Sequence, residues 1–239
     1  MSSVDVSMKF DTSVNDIIPR THNVKSFRFP RPKDLQYKAG QFMFVTIKSG
    51  DEEMRKHFTI SSSPTEKDHI EFTKKLTGSE YSNALEAMQI GDWAMIEAPY
   101  GKFTFEGEYE KIGMLSGGIG ITPLRSICKY CTDMQLDTEI ALLYGSLTEG
   151  DIVFRDELAE MQKRNRNLKT VITLDHPSED WTGYKGYINI QMIKKEVQDY
   201  MERAFYVCGP PGMIRAMENL LRDLNLPKAQ IKREVFSGY

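Results

Sequence analysis

A glycine-rich segment is the clearest candidate in this sequence for binding an anion. It reads SGGIGITP over residues 116–123, and its three glycines let the backbone approach a bulky group without a Cβ in the way. Thr122 is placed to be an N-cap, and Pro123 to be the first residue of a helix that continues from Leu124. That helix would present free N–H groups and the positive end of its dipole to a phosphate. The segment predicts a nucleotide site, and its alternative is a tight strand-to-helix turn.

A second candidate is a thiol beside a stiff turn. Cys208 is followed by Gly-Pro-Pro-Gly and then by Met213, and the prolines restrict the direction of the chain after the thiol. A small, polarizable sulfur at this place can face a flat ring closely. The alternative, which the spacing alone favours, is a buried structural cysteine.

A third candidate is a strand in the first half of the chain, RKHFTISSSP over residues 55–64. Alternation puts its side chains on opposite faces: Lys56, Phe58 and Ile60 on one, and His57, Thr59 and Ser61 on the other. The twist at the end of the strand can bring both Phe58 and Thr59 to the border of a ligand. An exposed polar strand edge is the alternative.

These segments belong to two halves with different sequence patterns. Over about residues 23–105, short aromatic and β-branched runs alternate with turn residues, which predicts an antiparallel β-barrel or sandwich with one helix near residues 81–88. After Lys111, strand-like and helical runs alternate, which predicts a Rossmann-like α/β domain with a parallel sheet. We expect one domain over residues 1–107 and the other over residues 108–239. Ligands of such a sheet bind beyond the carboxyl ends of its strands, where both glycine segments fall.

Composition narrows the class of protein. The net charge is −3 over 239 residues, which gives no indication of a nucleic-acid surface. The sequence has no apolar run of about 18 residues and no signal-like N-terminus, so we expect no membrane span. Three cysteines are an odd number, which fits a reducing compartment, and we expect a cytoplasmic protein. Cys128 and Cys131 form a CxxC, but they share a helix face with no further ligands, so we expect no metal site.

Five segments in this order resemble the ferredoxin–NADP reductase superfamily: KHFTISSSP, YSNAL, APYGKFTF, GGIGITP and CGPPGM. The resemblance covers nearly the whole chain, from about Asn23 to Tyr239. It implies that the barrel domain binds FAD and that the α/β domain binds NADH or NADPH.

The resemblance also implies roles for residues of the barrel domain. Lys56 takes the place of an arginine that contacts flavin phosphate, and lysine keeps the charge but loses the bidentate fork. Phe58 takes the place of the aromatic residue that packs on the isoalloxazine. Thr59 matches the hydroxyl residue beside flavin N5, so Thr59 and Cys208 are the predicted catalytic residues on either side of the hydride. The other predicted flavin contacts are His57, Lys74, Lys75, Leu76 and Ser82.

For the nucleotide, the resemblance implies a pyrophosphate cradle and several flanking contacts. The cradle is predicted to consist of Gly117, Gly118, Gly120 and Thr122. The flanking contacts are predicted to be Ser146, Arg155, Cys208, Gly209, Pro210 and Met213. Phe236 or Tyr239 would close the open face of the flavin, with a frayed terminus as the alternative. Glu149 and Asp151 would repel a 2′-phosphate, which slightly favours NADH.

The predicted activity is therefore hydride transfer from NAD(P)H to FAD, followed by delivery of electrons to a separate carrier such as ferredoxin or flavodoxin. The sequence has no cysteine run of the plant-type ferredoxin pattern, so we expect the electrons to leave to another molecule. One alternative is a reductase component of a larger oxygenase or hydrogenase-type complex. Another is a module that keeps the fold but binds no flavin.

Overall fold

The barrel domain consists of two antiparallel sheets around one core. The structure, a computed structural model, describes residues 7–236. The sheets are ordered β1-β7-β4-β5 and β2-β3-β6, and a bridge between Ile60 and Phe72 joins them. The elements are β1 (Met8–Ser13), β2 (Asp16–Thr21), β3 (Val24–Pro30), β4 (Phe42–Ser49), β5 (Glu52–Thr59), β6 (His69–Lys75), α1 (Glu80–Ala87) and β7 (Trp93–Tyr100).

Alternating burial explains why these segments are strands. In β4, Met43, Val45 and Ile47 are fully buried, whereas Phe42 and Phe44 on the opposite face are half-buried. Each buried side chain of this size stabilises the fold by about 1.5–3 kcal/mol. The antiparallel architecture that the sequence predicts is confirmed. The strands β1 and β2 were not predicted, because neither contains a continuous apolar run.

The second half of the chain is a six-stranded parallel sheet with helices on both faces, as predicted. The strand order is β11-β10-β9-β8-β12-β13, and every neighbouring pair is parallel. The elements are β8 (Lys111–Gly117), α2 (Ile121–Asp133), β9 (Glu139–Ser146), α3 (Arg155–Arg164), β10 (Leu168–Leu174), β11 (Tyr184–Lys185), α4 (Ile190–Glu196), β12 (Ala204–Gly209), α5 (Pro211–Asp223) and β13 (Ile231–Val235). None of the helices in the described part of the chain has both the length and the apolarity needed to cross a membrane.

The topology fixes where a ligand can enter. The chain runs from β8 outward to β11 and then returns to β12 on the other side of β8, so the strand order reverses at β8. The barrel packs on the sheet face that carries α2 and α3, where Ala39, Phe103 and Phe105 share one core with β8 and β12. The carboxyl ends of β8 and β12 therefore open toward the barrel, and this is where such folds bind nucleotides.

Candidate active site

An open cleft of about 820 Å³ lies at this switch point, between the two domains. The barrel domain contributes five residues to its wall: Thr21, Asn23, Val24, Lys75 and Thr77. The α/β domain contributes the strand ends and helix starts, among them Ser116, Gly117, Gly118, Ser146, Asp151, Asp175, Tyr187, Pro210 and Met213. The cleft is not plugged by side chains, and its volume is typical of a cofactor site.

The glycines of the first segment have different roles. Gly118 has φ +52°, and a Cβ there would meet nothing within 4 Å, so its backbone is open to the cleft. A Cβ on Gly120 would lie 2.4 Å from the carbonyl oxygen of Cys208 and 2.6 Å from Cα of Gly209. Gly118 is thus available to a ligand, whereas Gly120 lets the two strand-to-helix junctions pack closely.

The helix after the glycines begins earlier than predicted, so Thr122 is not its N-cap. α2 begins at Ile121, with Gly120 in the N-cap position and no side-chain cap. Thr122 is buried, and its hydroxyl donates to the carbonyl oxygen of Ile119 at 3.2 Å. Pro123 is the third helical residue, where its missing N–H still costs no intrahelical hydrogen bond. The prediction that Pro123 opens the helix was wrong by two positions.

The second glycine segment borders the cleft through Pro210 and Met213. α5 begins at Pro211, and its N-cap is Pro210. The Met213 sulfur lies 2.5 Å from where a Cβ on Gly117 would be, and 2.8 Å from a Cβ on Gly209. These two glycines therefore make room for the methionine at the cleft floor.

The Cys208 side chain is fully buried in the core between the sheet and α2. Burial raises the pKa of its thiol well above the usual value, so the thiol is neutral. Among the described residues, Cys208 is not part of the cleft wall. Its surroundings are those of a structural cysteine, and its position beside a bound nicotinamide stays a prediction.

A row of polar groups crosses the sheet at Cys208, and sequence reasoning missed one of them. Ser116 and Glu234 are the register partners of Cys208 on β8 and β13. The Ser116 hydroxyl and Glu234 Oε2 are both buried without a hydrogen-bond partner in the described structure. Burial raises the pKa of Glu234 to about 8, so the carboxyl group is protonated at neutral pH. A carboxyl group with such a raised pKa, paired in register with the end of β12, is a candidate for proton transfer.

The flavin segment follows the predicted alternation on β5. Phe58 is half-buried and stacks on Phe72, with 4.5 Å between ring centroids. Thr59 is buried at the strand end, and His57 lies on the outer face against two phenylalanine rings of β4. Phe58 and Thr59 are not part of the cleft wall, whereas Lys75, the last residue of β6, and Thr77, just after this strand, are part of it.

The donor set beside this segment fits the phosphates of FAD. The Phe58 ring of β5 stacks on the Phe72 ring of β6, so Lys56 and Lys74, each two residues from one of these rings, lie on neighbouring strands. Burial, and then the positive charge of Lys56, lower the pKa of Lys74. Lys75 reaches the cleft, whereas Leu76 packs on the barrel core. Two clustered cations are what a pyrophosphate requires, so the residues present fit the cofactor.

A cluster of hydroxyl groups extends from α1 to the cleft. α1 begins at Glu80 with Ser79 as its N-cap, so Ser82 lies within the first turn of this helix. Ser82 is buried, and its hydroxyl lies 3.0 Å from that of Ser79 and 3.3 Å from that of Thr77. Thr77 carries the cluster to the cleft wall.

The far end of the cleft is acidic. Asp151 and Asp175 both line it, and the exposed Tyr187 ring donates its hydroxyl to Asp175 Oδ2 at 3.0 Å. The Ser146 hydroxyl is buried there without a partner in the described structure. Arg155 is exposed at the start of α3 and is not part of the wall. Asp175 and Tyr187 were missed, because they follow β10 and β11 in segments without a recognisable motif.

The C-terminal strand holds the tail in place as far as Phe236. The backbone N–H of Phe236 donates to the carbonyl oxygen of Gly209 at 3.1 Å, and its side chain packs on the interdomain core. Tyr239 lies outside the described residues.

Comparisons with known proteins match both halves of the chain. Residues 11–105 match the oxidoreductase FAD-binding domain, and residues 114–219 match the oxidoreductase NAD-binding domain. NADH-cytochrome b5 reductase 1 of Dictyostelium discoideum is 30% identical, over 88% of this chain and 76% of that protein. The crystal structure of the cytochrome b5 reductase domain of Ulva prolifera nitrate reductase is similar, with a TM-score of 0.83 and 25% identity, covering 95% of this chain and 97% of that one.

Another similar protein is the glycine betaine monooxygenase reductase subunit of Chromohalobacter salexigens, which is 30% identical over 93% of this chain. The chain spans 62% of the length of that relative.

Proposed function

Because the chain belongs to the ferredoxin–NADP reductase superfamily, with an FAD-binding domain followed by an NAD-binding domain, we propose that it is an NADH-dependent flavoprotein reductase. Hydride passes from the nucleotide to FAD, and the electrons continue to a separate protein. The single observation that carries this proposal is the open cleft, whose walls come from both domains and which contains the accessible backbone of Gly118.

Each group of residues has a positioning task in this reaction. FAD, when bound, supplies the chemistry, because it accepts a hydride and releases electrons singly. Lys56 and Lys74 hold its phosphates, and Phe58 offers a ring face for its flat part. Gly118 and the start of α2 bind the nucleotide pyrophosphate. With both cofactors bound, these residues would orient them for hydride transfer, which needs reacting atoms about 3–3.5 Å apart.

Thr59 is proposed to orient the flavin through its hydroxyl group. We expect Thr59→Val to lower the limiting rate of flavin reduction about 10-fold, while NADH binding stays nearly intact, because one oriented hydrogen bond contributes about 1–1.5 kcal/mol. Stopped-flow reduction at increasing NADH separates the two quantities. Thr46→Val, which changes a buried threonine elsewhere in the barrel, is the control. Equal loss of rate and binding in Thr59→Val would count against this role.

The acids at the far end of the cleft are proposed to select NADH. Asp151 and Asp175 both line the region distal to the glycines, where a 2′-phosphate would add negative charge. We expect Asp151→Ser to raise the NADPH-to-NADH ratio of kcat/KM about 10-fold, since removal of one repulsion is worth about 1.4 kcal/mol. Glu149→Gln is the control, because Glu149, which the sequence also predicted to repel the 2′-phosphate, is not part of the cleft wall and accepts hydrogen bonds from Ser178 at 2.6 and 3.0 Å. An unchanged ratio in Asp151→Ser would contradict the assignment.

The electron acceptor is proposed to be a separate carrier such as ferredoxin or flavodoxin. A second candidate is an oxygenase component, as the name of the glycine betaine monooxygenase reductase subunit suggests. Three buried free cysteines fit a reducing compartment, so we place the reaction in the cytoplasm.

Two measurements test the proposed function. The purified protein should absorb near 450 nm, as flavins do, and anaerobic addition of NADH should bleach this band. NADPH should bleach it more slowly. A colourless protein that takes up no FAD would overturn the proposal and support a module without a redox role.

A further inference from the structure

A network of buried charges joins the two domains beside the candidate active site. Its centre is Arg125 on α2, whose side chain is 3% exposed. Its guanidinium lies 2.5 Å from Glu66 Oε2 in the barrel domain and 2.5 Å from Glu157 Oε2 on α3. Arg125 also donates to the carbonyl oxygen of Ser61 at 3.1 Å. Hydrogen bonds of one rigid group to three partners thus hold segments of both domains.

The network continues through two further arginines of the barrel domain. Arg20 donates to Glu157 Oε1 at 2.5 Å and lies 3.2 Å from Glu71 Oε2. Arg28 binds the same Glu71 oxygen at 2.8 Å. The three arginines and three glutamates balance in charge, as buried ions require. Although burial acts in the opposite direction, the Arg125 charge keeps the pKa of both Glu66 and Glu157 below the usual value.

The position of Arg125 along the chain connects the two halves of the active site. It lies near the start of α2, the helix that follows Gly118, whose backbone opens to the cleft. The barrel segment that it holds begins at Ser61, two residues after Thr59. The neighbouring Ser126 hydroxyl donates to the carbonyl oxygen of Ser62 at 2.7 Å, so the contact has a second anchor. A slip between α2 and this segment would move Gly118 relative to Thr59.

We propose that Arg125 is a positioning residue that sets the distance between the nucleotide cradle and the flavin segment by clamping α2 to the Ser61–Glu66 loop. This inference rests on the proposed function, because the distance matters only if hydride crosses the cleft. We expect the clamp to affect the distance between the reacting groups rather than the affinity for NADH, since Arg125 is not part of the cleft wall. A misplacement of about 1 Å at the reacting atoms is enough to slow such a reaction about 10²-fold.

The main test compares two variants of the clamp, Arg125→Met and Glu66→Gln, with one matched control. Arg125→Met removes the clamp, and Glu66→Gln weakens only its arm to the barrel while Arg125 remains paired with Glu157. The control is Arg203→Met, because Arg203 is equally buried and ion-paired to Asp199 but lies at the opposite end of the sheet. Stopped-flow reduction of the FAD-loaded protein by NADH gives the limiting rate and the Kd separately.

We expect the limiting rate to fall about 10²-fold in Arg125→Met and less in Glu66→Gln, with little change in Kd for NADH. The limiting rate of Arg125→Lys, which keeps the charge without the fork, should lie between the rates of the wild type and of Arg125→Met. Arg203→Met should lower stability while keeping the wild-type rate. If Arg125→Met does not fold, Glu66→Gln decides the matter alone.

A second readout does not depend on activity. Spin labels on Glu86→Cys and Lys163→Cys, both exposed, report the distance between the barrel and α3, and the native cysteines are buried. The distance distribution should broaden in Arg125→Met and stay narrow in Arg203→Met. Wild-type rates with narrow distributions in both clamp variants, or equal slowing in Arg203→Met, would overturn the inference. If NADH fails to reduce even the wild-type flavin, the proposed function is wrong. The distance distributions would then still test whether Arg125 holds the two domains together.

Discussion

Gly120→Ala is expected to lower the melting temperature by about 6–12 °C, which corresponds to about 3 kcal/mol for a chain of this size. The added Cβ would lie 2.4 Å from the carbonyl oxygen of Cys208 and 2.6 Å from Cα of Gly209. Both contacts are with backbone atoms, so no side chain can rotate away, and the junctions after β8 and β12 must separate. Because these junctions form the cleft floor, we also expect the variant to lose most of its NADH affinity. Differential scanning calorimetry and an NADH titration measure the two effects.

Gly212→Ala is the matched control for stability. It also lies at a strand-to-helix junction and lines the cleft, but a Cβ there would meet nothing within 4 Å. We expect its melting temperature to stay near that of the wild type, or to rise slightly, since alanine restricts the unfolded chain more than glycine does. If Gly120→Ala were as stable as Gly212→Ala, the close approach of the two junctions would not be what requires Gly120.

The sequence could predict where the site lies better than which atoms face it. Strand and helix periodicity predicted both domains, and the reversal of strand order then fixed the place of the cleft. The glycines of residues 116–120 were correctly found at this place. Their individual roles were not predictable, because the role of Gly120 depends on the approach of Gly209, which is distant in sequence.

Non-local pairing also explains the residues that the sequence did not reveal. Glu234 gains its position only because β13 pairs with β12, and a short polar strand near the chain end gives no periodic signal. Thr122 was predicted as an N-cap because its residue type favours that position. In the structure, a single turn at Gly118–Gly120 precedes the helix and shifts its start. Local propensity predicts that a helix begins in this segment, but tertiary contacts decide at which residue.

The charged network around Arg125 was also not predictable from the sequence. In the sequence, Arg125, Glu66 and Glu157 are ordinary charged residues of helices and loops, which are usually solvent-exposed. Their burial results from the docking of two domains, each of which contributes both arginine and glutamate side chains at this place. Sequence patterning within either domain contains no information about that docking. The residues proposed to set the distance across the cleft are therefore less predictable than those expected to contact the cofactors.

Glu234→Gln is expected to slow steady-state electron delivery about 10²-fold above pH 8, because a flavin reduced by hydride must release one proton as its two electrons leave, and the Glu234 carboxylate would accept it. The wild-type carboxyl group has a pKa of about 8, so it holds a proton at neutral pH next to the Cys208 thiol. Glutamine keeps the shape and a hydrogen-bond donor but cannot accept a proton. The wild-type rate should therefore increase as the pH rises through about 8, and this increase should be missing in Glu234→Gln. Initial rates with NADH and an artificial acceptor, from pH 6 to pH 9.5, measure both profiles.

Stability provides an independent check on the same proton. The pKa of Glu234 is raised above its ordinary value of 4.5, so the folded state favours the neutral carboxyl group. The resulting contribution to the free energy of unfolding is complete below pH 4.5 and is lost as the pH rises through about 8. Glu234→Gln should therefore show a flatter decline of stability than the wild type across this window. Glu218→Gln is the control, because Glu218 pairs with Arg233 at the surface of the same region. If Glu234→Gln and Glu218→Gln both keep the wild-type pH profiles of rate and stability, Glu234 does not titrate in this range and takes no part in the proton transfer.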